Sequence, residues 1–207
     1  MNAKVDFQRA LQHHQSGELV EARTAYERCL ALSPDHHPAL VNLGSGCRRL
    51  GLFDAASQHL RRAVALQPKD AGAHYNLANA LRDAGDFGAA EASYRRAASL
   101  DPQDAGIPYN LGILLAQIGR EIDAQQAYRQ AIVADPNHRE ARLNLAASSS
   151  GLGEVSGARQ ELEALLEHHP DFAPALNNLA TLQQDTGQTD AALATLRLAA
   201  ECRPDLS

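Results

Sequence analysis

Aromatic residues make up only 4% of this 207-residue chain, although its hydrophobic fraction is 44%. A core can therefore form, but it must be assembled mainly from small and aliphatic side chains. Cationic charge is also in deficit: 19 Lys+Arg against 25 Asp+Glu leave a formal net charge of -6, which excludes a general coat for nucleic acid. Lysine is nearly absent, with Lys4 and Lys69 alone. The three cysteines, Cys29, Cys47 and Cys202, are far apart and lack a C-x-x-C pair. They predict neither a disulfide framework nor a thiolate metal site, but small buried or half-buried thiols. No run approaches the roughly 20 apolar residues that cross a bilayer. Met1 to His14 carries no apolar signal-peptide core, so no membrane partner and a cytoplasmic location are expected.

What the chain does have is a repeat. Prolines stand at Pro34, Pro68, Pro102, Pro136, Pro170 and Pro204, each 34 residues after the last. Glycines at Gly17, Gly51, Gly85, Gly119, Gly153 and Gly187 keep the same step and precede each proline by 17. A glycine can turn the chain at positive φ, and a proline stops a helix because it lacks an N–H and clashes with the preceding turn. The two series therefore predict six hairpins of two amphipathic helices. Ala22, Ala56, Ala90, Ala124, Ala158 and Ala192 supply a small position in each second helix. Four residues later come Tyr26, Leu60, Tyr94, Tyr128, Leu162 and Leu196, so small meets large as close packing requires. A lone hairpin cannot cover its own apolar faces, and neighbours must stack. The expected fold is all-α, a right-handed α-solenoid in one domain, 1–207, with repeats near 3–36, 37–70, 71–104, 105–138, 139–172 and 173–206.

Leu77-Ala78, Leu81, Gly85, Phe87, Ala90, Tyr94, Ala97 and Pro102 resemble the tetratricopeptide signature, and the resemblance runs from about Ala3 to Leu206. It implies a helical superhelix whose concave side binds polypeptide. The first unit diverges most, with Asp6 and Arg9 at places that usually hold larger apolar residues. The sixth has no further helix to cover Ala192, Leu193, Leu196, Leu198 and Ala199. That end is expected to pack on a second copy or on a further carboxy-terminal domain.

Asn42, Asn76, Asn110, Asn144 and Asn178 recur at the same period on the first helices, each one residue before a core leucine. Asparagine costs up to about 0.7 kcal/mol relative to alanine within a helix, so five of them forgo roughly 3 kcal/mol. A carboxamide can pair with both the N–H and the C=O of a passing backbone, which would read a peptide irrespective of its side chains. The competing reading is duplication of residues that only bond to their own neighbours. The position three residues on has drifted through Ser45, Asn79, Ile113, Ala147 and Thr181, whereas the asparagines have not. The ladder, and the stretch Tyr75-Asn76-Leu77-Ala78-Asn79-Ala80-Leu81 through Tyr94-Arg95-Arg96-Ala97, are similar to the repeats of O-linked N-acetylglucosamine transferases. That resemblance implies that the asparagines hold extended substrate peptides.

Asn79, Tyr75 and Tyr109 join the candidate peptide-binding residues, the tyrosines as stacking surface. Arg48 and Arg82 join them as partners for acidic side chains. The lysine clamp used by chaperone-tail receptors is not formed here, because Val41, Tyr75, Tyr109, Leu143 and Asn177 precede the asparagines. Gly44-Ser45-Gly46 and Gly151-Leu152-Gly153 fall in or beside first helices rather than after a strand, so no nucleotide site is expected. His13-His14, His36-His37 and His168-His169 are adjacent pairs without a recurring third ligand and read as surface histidines rather than a metal site. No catalytic constellation and no cofactor are predicted. The leading reading is a peptide-binding scaffold or adaptor. The alternative is the substrate-recognition region of a larger glycosyltransferase.

Overall fold

The computed structural model describes residues 2–202, which form twelve α-helices and no strand. They are grouped in two compact units, Met1–Pro102 and Gln103–Ser207, each holding three hairpins. The first unit contains α1 (Ala3–Gln15), α2 (Leu19–Leu32), α3 (His37–Arg49), α4 (Phe53–Leu66), α5 (Ala71–Asp83) and α6 (Phe87–Leu100). The second contains α7 (Gly106–Gln117), α8 (Glu121–Ala134), α9 (Arg139–Gly151), α10 (Val155–His168), α11 (Ala173–Asp185) and α12 (Thr189–Glu201). In each unit every helix packs on the next in sequence, and first helices also meet directly, α3 on α5 and α9 on α11.

The punctuation acts as the sequence implies. All six turn glycines adopt φ between 75 and 83°, a region that a side chain would strain. Prolines 34 to 170 act one residue ahead of themselves, because the ring bars the preceding residue from the α region. Ser33, Gln67, Asp101, Asp135 and His169 accordingly leave the helix at φ of -131 to -142° and ψ of 69 to 99°. Pro204 lies outside the described residues. Helix starts are capped by side chains where the sequence offers one: Asn2, Asp70 and Asp86, together with the Nδ1 atoms of His36 and His138.

The histidines therefore depart from the expectation of a plain surface set. His36 and His138 are helix caps, and His37 is buried with its Nε2 3.3 Å from Asp70 Oδ2. His14 carries a buried Nδ1, and burial pushes its pKa down. Cys29 and Cys47 are buried free thiols and Cys202 is half-buried, as expected.

The small-to-large contacts form the core. Tyr26, Leu60, Tyr94, Tyr128 and Leu162 are all at most 3% exposed. Leu196, their counterpart in α12, is 44% exposed, and no later helix follows among the described residues. Leu193 and Leu198 are exposed beside it, whereas Ala192 and Ala199 turn inward and are buried. Facing Leu60 and Tyr128 across their hairpins are Gly44 and Gly112, where the helices approach so closely that no side chain fits. A Cβ on Gly44 would sit 2.5 Å from Leu60 Cγ, and one on Gly112 would sit 2.4 Å from Tyr128 Cε1.

Gly46 lies two residues beyond Gly44 on the same helix, and a Cβ there would meet only His14 Cε1 at 3.9 Å, an ordinary contact. The two positions should respond oppositely in chemical denaturation of the first unit's signal. Gly44→Ala overpacks a closed site and should cost about 1–3 kcal/mol. Gly46→Ala removes glycine from a helix interior and should stabilise by about 0.5–1 kcal/mol.

Candidate functional site

The five asparagines project from the first helices α3, α5, α7, α9 and α11, and all five are half-buried. Their surroundings are not alike. Asn42 lies against the buried hydroxyl of Tyr26, without the geometry of a full hydrogen bond, and that hydroxyl has no other partner. Asn110 is turned back on its own helix, with Nδ2 donating to the Gly106 carbonyl at 2.8 Å. Asn144 stands between the hydroxyls of Tyr109 and Tyr128. Asn76 and Asn178 carry no side-chain hydrogen bond among the described residues. Burial raises the tyrosine pKa values, Tyr26 and Tyr128 to about 12 and Tyr94 further still, so the phenols remain neutral donors.

Several other predicted contact residues are engaged within the fold. Asn79 is a correction: it is 5% exposed, and its Oδ1 accepts a 2.6 Å hydrogen bond from Tyr94, so it belongs to the core of the first unit. Tyr75 and Tyr109 are half-buried and pack edgewise or tilted on Tyr94 and Tyr128, with ring centroids 6.0 and 6.2 Å apart. Arg48 donates to Asp83 Oδ2 at 2.8 Å, and Arg82 Nε lies 3.6 Å from the other oxygen of the same carboxylate. These arginines serve an internal acid rather than standing free for one on a ligand.

The second unit opens a cleft of about 670 Å³ between α7 and α9. Ile113, Ala116 and Gln117 form one wall, and Asn144, Ala147, Ser148 and Gly151 the other. Tyr128 and Glu121 of α8 complete it. Asn144 is thus a ladder residue set in the wall of an open cleft. Glu121 was not among the residues anticipated, and Ser148 donates to its Oε2 at 2.7 Å. A signal existed in the sequence: the equivalent positions elsewhere are Leu19, Phe53, Phe87, Val155 and Thr189, none of them charged.

No group of three or more His, Cys, Asp or Glu with metal-binding placement occurs among the described residues, and no described helix is long and apolar enough to cross a membrane.

Residues 1–206 match the family described as the C-terminal domain of cilia and flagella-associated protein 70. The chain belongs to that family. Among solved structures it is similar to MamA, at 25% identity over 80% of this chain and 90% of that one, with a TM-score of 0.74. It shares its fold with YrrB, described as a TPR protein with an unusual peptide-binding site, at 19% identity, 88% and 94% coverage and a TM-score of 0.70. It also shares the fold of PilF from Pseudomonas aeruginosa, at 18% identity, 98% and 92% coverage and a TM-score of 0.77. No curated protein matches the sequence. The repeats of this family member are tetratricopeptide repeats, as their signature residues imply.

The core role of Asn79 can be measured. Asn79→Ala leaves the Tyr94 hydroxyl buried without its partner and should cost about 1–3 kcal/mol. Adding Tyr94→Phe should recover part of that loss, giving a favourable coupling in a double-mutant cycle followed by thermal unfolding.

Proposed function

We propose that this chain is a non-catalytic protein-binding module whose first helices hold extended polypeptide through backbone hydrogen bonds from the ladder asparagines. The observation that carries this reading is the cleft with Asn144 in its wall. The half-buried carboxamides of Asn76 and Asn178, with no internal hydrogen bond among the described residues, support it further. A helix-interior asparagine without a partner is a net cost to the folded chain, and a passing peptide would supply both the acceptor and the donor that the carboxamide lacks. YrrB, which has the same fold and is described as a TPR protein with an unusual peptide-binding site, supports this role.

The asparagines do not contribute equally in this proposal. Asn76 and Asn178 act on ligand alone, whereas Asn144 also lies against the hydroxyls of Tyr109 and Tyr128, and Asn110 must release the Gly106 carbonyl to engage. The narrower alternative, a recognition region of a glycosyltransferase, uses the same residues and rests on the sequence of α5 and α6. The exposed strip of Leu193, Leu196 and Leu198 supports association of the last hairpin with a second copy or a further domain.

The test uses peptides selected from a displayed library of random dodecamers, with affinity measured by fluorescence anisotropy. At about 0.5–1.5 kcal/mol per net hydrogen bond, Asn76→Ala and Asn178→Ala should each weaken peptides selected on their own unit by roughly two- to tenfold. Thermal stability should not fall, since alanine is the better helix former. Wild-type affinity in both variants would show that the asparagines are structural inheritance.

A further inference from the structure

Building on the polypeptide-binding reading, we propose that the cleft of the second unit is a receptor for one basic side chain, lysine or arginine, of the bound polypeptide, with Glu121 as its counter-charge.

The cleft exists because the repeat departs from itself at two places. Ala116 occupies a position held by His14, Arg48 and Arg82 in the first unit, and Gly151 occupies the one held by Arg49 and Asp83. In the first unit Arg48 extends from α3 and ends on Asp83 at 2.8 Å, so a guanidinium and a carboxylate occupy the space between those first helices, and the cleft that remains, about 480 Å³, lies toward the turn at Gly51 and Leu52. In the second unit both partners have been cut back to a methyl group and a hydrogen, and the space stands open at about 670 Å³.

A carboxylate is nevertheless restored there. The first residue of the second helix is apolar in four of the other repeats and threonine in the last, yet here it is Glu121, which lines the cleft. Ser148, on the opposite wall, donates to Oε2 at 2.7 Å, which fixes the carboxylate and leaves its second oxygen available. The neighbouring Arg120 is drawn to Asp123 at 2.7 Å, and no cation lies within ion-pair distance of Glu121 among the described residues. The repeat has thus lost its internal cation and kept an acid.

The apolar part of the lining, Ile113, Ala116, Ala147 and Leu152, suits the methylene stem of a basic side chain, while Glu121, Gln117 and Asn144 offer acceptors for its head. The surrounding field agrees. Residues 1–102 carry 12 Lys+Arg against 11 Asp+Glu, whereas residues 103–207 carry 7 against 14 and no lysine at all. The acidic character of the chain therefore belongs wholly to the unit that holds the cleft, which favours the approach of a basic segment.

The probe is a pair of tripeptide amides, acetyl-Ala-Arg-Ala and its citrulline analogue, which has nearly the same shape without the charge. Each is titrated into the full chain while the methyl resonances of Ile113, Ala116 and Ala147 are followed by NMR. The arginine peptide should shift these three methyls saturably, and the citrulline peptide should bind roughly five- to tenfold more weakly. Glu121→Gln should reduce the arginine peptide to the citrulline level. Ala116→Arg, which returns the internal cation, should abolish the shifts of the Ile113 and Ala147 methyls while the methyl spectrum stays dispersed. Equal affinity for the two tripeptides at the cleft methyls would overturn the basic-side-chain assignment and leave the polypeptide-binding reading standing. Shifts confined to the acidic outer faces of the helices, with library-selected peptides still bound, would overturn it as well.

Discussion

Each hairpin is held by the approach of its two helices at one crossing, where a position occupied by glycine or alanine on the first helix faces a large side chain on the second. At Gly44 and Gly112 the separation leaves no room for a methyl group against Leu60 and Tyr128. The remaining geometry depends on that closeness. Only helices pressed together at the crossing bury the tyrosine and leucine side chains almost completely, and only then do the outer faces come together as surfaces on which the next hairpin can pack. The turn glycines and the prolines set the lengths of the helices, so that the small and the large residue arrive at the crossing in register. A change in helix length by one residue would rotate the large side chain about 100° away from its partner.

This constraint explains why the fold was legible in the sequence and the site only partly so. Helix ends follow from residues whose own backbone is restricted, and those restrictions act wherever the residue stands. Gly17 through Gly187 turn at positive φ, and the residues before Pro34, Pro68, Pro102, Pro136 and Pro170 leave the helix. A side chain's partner is different, because it depends on what a neighbouring helix places opposite. Asn79 carries the same functional group as Asn76, yet one turn of helix sets it inward beneath the Tyr94 hydroxyl. Arg48 and Arg82 looked free along the chain and converge in space on Asp83. His36, read along the chain as a surface residue, and His138 stand at the repeat position of Asp70, and all three cap the helix that follows.

The asparagines show how one repeated residue can serve two purposes. Where a tyrosine occupies the preceding second helix, as at Tyr26 and Tyr128, the carboxamide on the next helix meets a buried phenol. Leu162, the corresponding residue before Asn178, presents no polar atom. That carboxamide therefore has no internal hydrogen bond, and Asn76, which follows Leu60, is in the same position. Asn110 shows a third case: it follows Tyr94, whose hydroxyl donates to Asn79, and its own Nδ2 bonds the Gly106 carbonyl within its helix. The fold thus engages the asparagine in some repeats and leaves it without an internal hydrogen bond, among the described residues, in others.

The same logic governs the space between first helices. A repeat array has equivalent sites at every step, and whether one is closed or open depends on the few side chains that reach into it. With an Arg48–Asp83 pair at those positions an ion pair spans the two first helices. With Ala116 and Gly151 it is a cleft. Trimming a filled position costs the array packing and an ion pair, which for a half-exposed pair such as Arg48 and Asp83 is a small loss. Because stability in such arrays is spread over many similar interfaces, one repeat can give up that contribution without unfolding its neighbours. The charge that remains at the vacated site, Glu121, is then free to meet a cation from outside, so that specificity is gained by deleting an internal partner rather than by adding a new external one.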